Sequence, residues 1–167
     1  MKNIIYILAV FALCFGFKAQ AQITSNRIFT LSEVLTTKTA TEAEYFTLLK
    51  NGTPHKLFFS NNNEVVHGWE TQGVVKVAEF ESCNAFASAQ KKEFLNDLST
   101  TEMIVIKITA QDNLALLNDV VLKTPNLKYI VAKSYNLFSK SEIQSLLGNL
   151  SAGFKGEIVI ETLEQPK

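Results

Sequence analysis

A chain of 167 residues with 16 basic and 16 acidic side chains carries no formal net charge. That balance gives no electrostatic footprint for nucleic acid or for an anionic membrane surface. The length is that of one domain, and 47% hydrophobic residues are enough to build a core.

The chain opens on an expected leader. Lys2 is basic, residues 4–17 form an apolar run of 14, and Ala19 and Ala21 are the small residues of a signal-peptidase site. The run is shorter than the about 20 residues that span a bilayer core, so no stable membrane insertion is expected after cleavage. Cys14 is not read as a lipid-bearing cysteine. Leu13 precedes it where a small residue is wanted, and Phe15, Gly16 and Phe17 follow where a polar tether is wanted. The expectation is a signal peptide over residues 1–21, export to a periplasmic or extracellular space, and a single α/β domain over residues 22–167. That mature chain has 14 basic against 16 acidic residues and one cysteine, Cys83. No internal disulfide is available to it, and its core must hold it together.

Residues 22–29 have no clear period. Thr30 and Glu33 fit a capping box, in which a hydroxyl and a carboxylate satisfy each other's orphan amides. Thr41 and Glu44 fit a second, opening a helix with Ala43, Phe46 and Leu49 on its buried stripe. Gly52 reads as a left-handed cap before Pro54. Strands are expected over residues 56–60, 64–69 and 74–80, with Asn61, Asn62 and Asn63 as a polar turn. Residues 82–98 read as helix. A strand follows over 103–108, then a helix capped by Asp112 with Leu114, Leu117 and Val121 inward. Another strand spans 127–132. Ser139 and Glu142 form a third capping box, with Phe138 as its staple. The last strand covers 157–163. Residues 22–73 are less regular than the βα series of residues 74–163. This alternation predicts a mainly parallel sheet of about four to six strands with short amphipathic helices.

The strand-helix-strand of residues 103–137 suggests an internal period. Met103, Ile106 and Ile108 align over Leu127, Ile130 and Ala132 at an offset of 24, and Ile158 and Ile160 repeat the pattern 28 residues later. Leu127, Ile130 and Ala132 fill the places of a Leu-x-x-Leu-x-Leu segment, and Leu57, Phe59 and Asn62 fit the same pattern with its ladder asparagine. In these residues the chain resembles degenerate leucine-rich-repeat proteins. Gln111 and Tyr135 stand where the ladder asparagine is wanted in other units. The resemblance implies a short solenoid that recognises protein or glycan on its strand face. The alternative architecture is a compact layered domain.

Catalytic motifs are absent from the sequence. No G-x-S-x-G elbow or phosphate loop occurs. His67 precedes Glu70 by three residues, and with His55 close by they would make a zinc site or, with Cys83, a small hydrolase. No spacing fixes that proximity, and edge histidines are the reading taken. No cofactor or metal is expected. Trp69, Tyr129 and Tyr135 are candidates for an exposed binding face, because aromatic residues dominate interfaces. The function expected is non-enzymatic binding or a structural role outside the cytoplasm. The alternatives are the hydrolase and an inhibitor or immunity-type protein marked by an exposed apolar or acidic patch.

Overall fold

The computed structural model describes residues 27–68, 73–109, 112, 114–147, 150 and 154–164. The expected leader with Cys14, Ala19 and Ala21 lies outside the described residues, as do Trp69, Glu70 and Gln111. Seven strands form one sheet: β1 (Ile28–Thr30), β2 (Lys56–Phe59), β3 (Val65–Gly68), β4 (Val77–Phe80), β5 (Met103–Lys107), β6 (Tyr129–Ser134) and β7 (Glu157–Thr162). Their order is β1-β7-β6-β5-β4-β2-β3. All neighbours are parallel except β2 and β3, which make a hairpin. The α/β class and the mainly parallel sheet agree with the alternation in the sequence. The sheet has seven strands rather than four to six because the lead-in supplies β1, which is too short to show a period.

Alternation along each strand divides the core in two. Ile104, Ile106, Ile130, Ala132 and Ile158 share one face with Phe86, Leu98, Leu117, Val120 and Ile143. These last five come from the connections between successive strands. Two 3₁₀ segments (Cys83–Gln90 and Lys92–Phe94) and α3 (Leu95–Thr100) lead from β4 to β5. The helix α4 (Ala115–Leu122) leads from β5 to β6, and α5 (Lys140–Leu146) from β6 to β7. The other face holds Val77, Met103, Val105, Tyr129, Val131 and Val159. Among the described residues one connection crosses it: α1 (Leu31–Thr37) and α2 (Ala40–Asn51), which carry the chain from β1 to β2 and bury Val34, Phe46 and Leu49 there. Right-handed crossovers running in opposite directions across one sheet must lie on opposite faces.

The consequence is unequal cover. A seven-strand sheet is roughly 29 Å wide at about 4.8 Å per step. Two helices, each about 10 Å across, shield at most about 20 Å of it. Their buried residues pack on β4, β5, β6 and β7. A strip on the β2–β4 side of that face is left without a helix.

Several local expectations are corrected. Register pairs Met103 with Tyr129 and Val77 with Met103, an offset of 26, not 24, while Tyr129 pairs with Glu157 at 28. A two-residue slip leaves every side chain on its own face, so alternation alone cannot distinguish the two. The second capping box is Thr39 with Glu42. The same threonine-glutamate spacing occurs in both registers, and the earlier one lengthens the helix. Gly52 has φ −75°, so its cap is not left-handed; a Cβ there would meet the Leu48 carbonyl oxygen at 2.4 Å. Asp112 does not cap α4. Its carboxylate accepts from the Thr109 amide at 2.6 Å and from the Cys83 thiol at 3.3 Å. Residues 82–98 are helical in pieces, broken at Lys91, whose backbone is extended. Asn62 closes its own turn, accepting from Ser60 Oγ and the Glu64 amide. Two capping boxes, Thr30 with Glu33 and Ser139 with Glu142, form as expected.

Candidate functional site

The uncovered strip forms a groove of about 320 Å³. It lies at the carboxyl ends of the parallel strands, the position at which open α/β sheets bind ligands. Phe58 points into it because Leu57 and Phe59, on either side, point into the core. Register sets Phe58 beside Glu79, and Glu79 beside Val105. Leu163, just past β7, adds apolar surface. A Cβ on Gly68 would sit 2.4 Å from Cε2 of Phe58. The ring therefore rests against the glycine, and this contact fixes how far it stands out of the groove. Val66, paired with Phe58, extends the apolar strip outward and is 56% exposed.

Four charges line the groove: Glu79, Glu81, Lys107 and Lys133. Lys107 pairs in register with Lys133, and Lys133 with Glu161. Glu81 follows Phe80, which pairs with Ile106, so it flanks Lys107 on the other side. A row of minus, plus, plus, minus thus crosses β4 to β7. The outer charges have partners. Glu161 binds Lys50 at 2.7 Å, and Glu81 accepts from the Asn61 amide at 2.8 Å. Lys133 binds Glu79 at 3.2 Å. Lys107 has no carboxylate partner among the described residues; its ammonium lies 4.5 Å from the centre of the Tyr135 ring. Behind the groove, Lys56 is buried and donates to the Lys50 carbonyl at 3.1 Å. Burial lowers its pKa; Glu79 opposes that shift, while Lys133 and Lys50 add to it.

The sheet's opposite end carries the two histidines. His55 Nε2 lies 2.8 Å from His67 Nδ1, and the ring centres are 5.1 Å apart. That separation equals the nitrogen–nitrogen distance plus the two ring radii, so the nitrogens face each other in line. Their lone pairs do not converge on a third point, as two ligands of one metal would. His55 Nδ1 lies 3.0 Å from the Gly73 carbonyl, which can only accept. In the neutral pair this places the proton on His55 Nδ1, leaves Nε2 to accept, and makes His67 Nδ1 the donor. The sequence reading left this proximity open; folding the hairpin creates it. Among the described residues no three of His, Cys, Asp and Glu gather as metal ligands. Cys83 lies past the carboxyl end of β4, whereas His55 precedes β2, so the thiol and the imidazoles are at opposite ends of the strands.

Next to the histidines, at the start of the central strands, is an ionic knot. Glu102 binds Lys76 at 2.5 Å and Lys128 at 2.6 Å, and accepts from the Tyr45 hydroxyl at 2.5 Å. Burial opposes ionisation of Glu102, but the hydrogen bonds from Lys128, Lys76 and Tyr45 outweigh it and hold its pKa at about 2. Burial and the bond to Glu102 push the Tyr45 hydroxyl up to about 12. Tyr129, a candidate for an exposed face, is instead a core residue. It is 8% exposed and packs edge-on against Phe46 at 5.1 Å. Tyr135 is exposed and stands over Lys107 beside the groove.

Sequence reading did not single out Phe58, Glu79, Glu81, Lys107 or Leu163 as site residues. The usable signal was the charge at the end of each apolar strand. At offsets of 26, 26 and 28, Glu81, Lys107, Lys133 and Glu161 fall into one row. No family model, no curated protein and no solved structure matches this chain.

Proposed function

We propose that the protein is an exported, non-enzymatic binding protein, and that its recognition site is the groove at the carboxyl ends of β2, β4, β5 and β6. The observation that carries this reading is the groove lined by the apolar side chains of Phe58, Val105 and Leu163. Its volume is within the range of small-molecule sites, which are mostly apolar with a few placed polar groups. Three of the four lining charges, Glu79, Glu81 and Lys133, are already bonded within the protein, so an apolar ligand group fits the lining better than a glycan. The parallel series from β4 to β7 is what a leucine-rich-repeat-like reading of residues 54–163 would draw on, whereas connections on both faces of the sheet favour the layered architecture over a solenoid. Trp69, which follows Gly68 in the sequence, belongs to this reading only as a further candidate.

An environment-sensitive apolar dye tests the site. The dye should bind the mature chain and lose binding in Phe58→Asp, with the far-ultraviolet spectrum unchanged. Equal binding to both proteins would remove the groove as the site. Export is tested by N-terminal sequencing of protein recovered outside the cytoplasm, where Gln22 is the expected first residue.

A further inference from the structure

We infer that the groove takes a small amphiphilic anion, with its tail on Phe58, Val105 and Leu163 and its head group between Lys107 and Lys133. This rests on the groove being the binding site. Two observations point to the head group. Lys107 and Lys133 are direct register partners on adjacent strands, and like charges facing each other across a strand pair are destabilising. Only one of them is neutralised: Lys133 has Glu79, whereas Lys107 is turned onto the face of Tyr135. An anion between the two ammonium groups would relieve the repulsion and give Lys107 the anionic partner it lacks among the described residues.

The acidic residues nearby do not cancel this preference. Glu79 is engaged by Lys133, and Glu81 is tied to the Asn61 amide. A cationic head group would find Glu79 already ion-paired and would face Lys107; Glu81, bonded to the neutral Asn61 amide, keeps its charge. The size of the ligand follows from the volume. About 320 Å³, at about 30 Å³ for a water-sized group, holds about ten non-hydrogen atoms. That is a short-chain amphiphile, smaller than a docked helix or an extended peptide.

The test is a methyl-detected NMR titration of the mature chain with octanoate, octan-1-ol and octylamine, which share one tail. Octanoate should shift the methyl signals of Val105 and Leu163 and bind at least fivefold more tightly than octan-1-ol, with octylamine weakest. Lys107→Met should remove most of the advantage of octanoate over octan-1-ol. If octan-1-ol binds as tightly as octanoate, or if Lys107→Met leaves octanoate affinity intact, the anionic head group is refuted while the groove stands. If none of the three shifts Val105 or Leu163, the groove itself is refuted as a site, and this inference with it.

Discussion

His55 Nε2 and His67 Nδ1 face each other in line at 2.8 Å, one from the lead into β2 and one from the edge strand β3. The bond ties the edge strand to the body of the sheet at a point where His55 is only 7% exposed. Removing the donor leaves a buried acceptor without a partner, which costs about 1–3 kcal/mol. His67→Ala should lose that much in urea unfolding. The double variant His55→Phe with His67→Val should lose less than His67→Ala alone, since neither polar group then remains. A His67→Ala protein within about 0.5 kcal/mol of the parent, the range of ordinary surface changes, would contradict the pairing.

Glu102 gives stability a defined acid limb. Its pKa falls from an ordinary 4.5 to about 2 on folding. A lowered carboxylate contributes stability that is complete above pH 4.5 and is lost as pH falls through 2. The contribution is about 3 kcal/mol at about 1.4 kcal/mol per pH unit. Glu102→Gln should lower stability at pH 7 by that order and flatten the decline between pH 4.5 and 2. Parallel acid limbs in the two proteins would argue that the knot is not what holds this carboxylate. Tyr45 acts at the other extreme. Its raised pKa means that its contribution is complete below pH 10 and is lost as pH rises through about 12.

Lys56 is expected to oppose folding at neutral pH. Burial lowers its pKa below the ordinary 10.5, so the folded state disfavours the charged form that dominates in the unfolded chain at pH 7. Replacing a buried charge by an apolar residue of similar length is often neutral or stabilising by about 1–4 kcal/mol. Lys56→Met should raise the thermal midpoint. A midpoint lowered by several degrees would show that the hydrogen bond to the Lys50 carbonyl matters more than the burial of the charge.

Gly68 controls the groove from outside it. A methyl group at this position collides with the Phe58 ring rather than with backbone, so the ring must swing into the groove. Gly68→Ala should leave the protein folded and weaken ligand or dye binding, whereas a change at the exposed Leu137 should leave both fold and binding unaffected. Unchanged dye affinity in a folded Gly68→Ala protein would place the ligand elsewhere.

Much of the architecture was legible because the physics that builds it is periodic. The helix stripe of Phe46 and Leu49, and the alternation of Ile104 and Ile106 against Met103 and Val105, gave the elements and their class. The register was not legible, since slipping Met103 from Leu127 to Tyr129 keeps every side chain on its own face. The groove was hidden for the same reason. It is a property of the whole sheet, arising where one connection tries to cover the area that three connections cover on the other face. Thr39 and Asp112 show the limit of local motifs. Each spacing is satisfied by more than one arrangement, and the neighbouring helix or thiol decides between them.

β1 has one partner, and that partner is distant: Ile28 pairs with Ile158, and Phe29 with Val159. The strands from β4 to β7 find neighbours 26 to 28 residues away, so they can zip up in sequence at modest loop-closure cost. The first strand made is thus the last one placed. During synthesis β1 has no strand to pair with until residues 157–162 are made, whereas α2 can already pack on β6 through Phe46 and Tyr129. A chain stopped before residue 157 would leave Ile28 and Val34 without the strand on which they close, and faster unfolding with little change in the folding rate is what a weakened β1–β7 contact, made last, should show first.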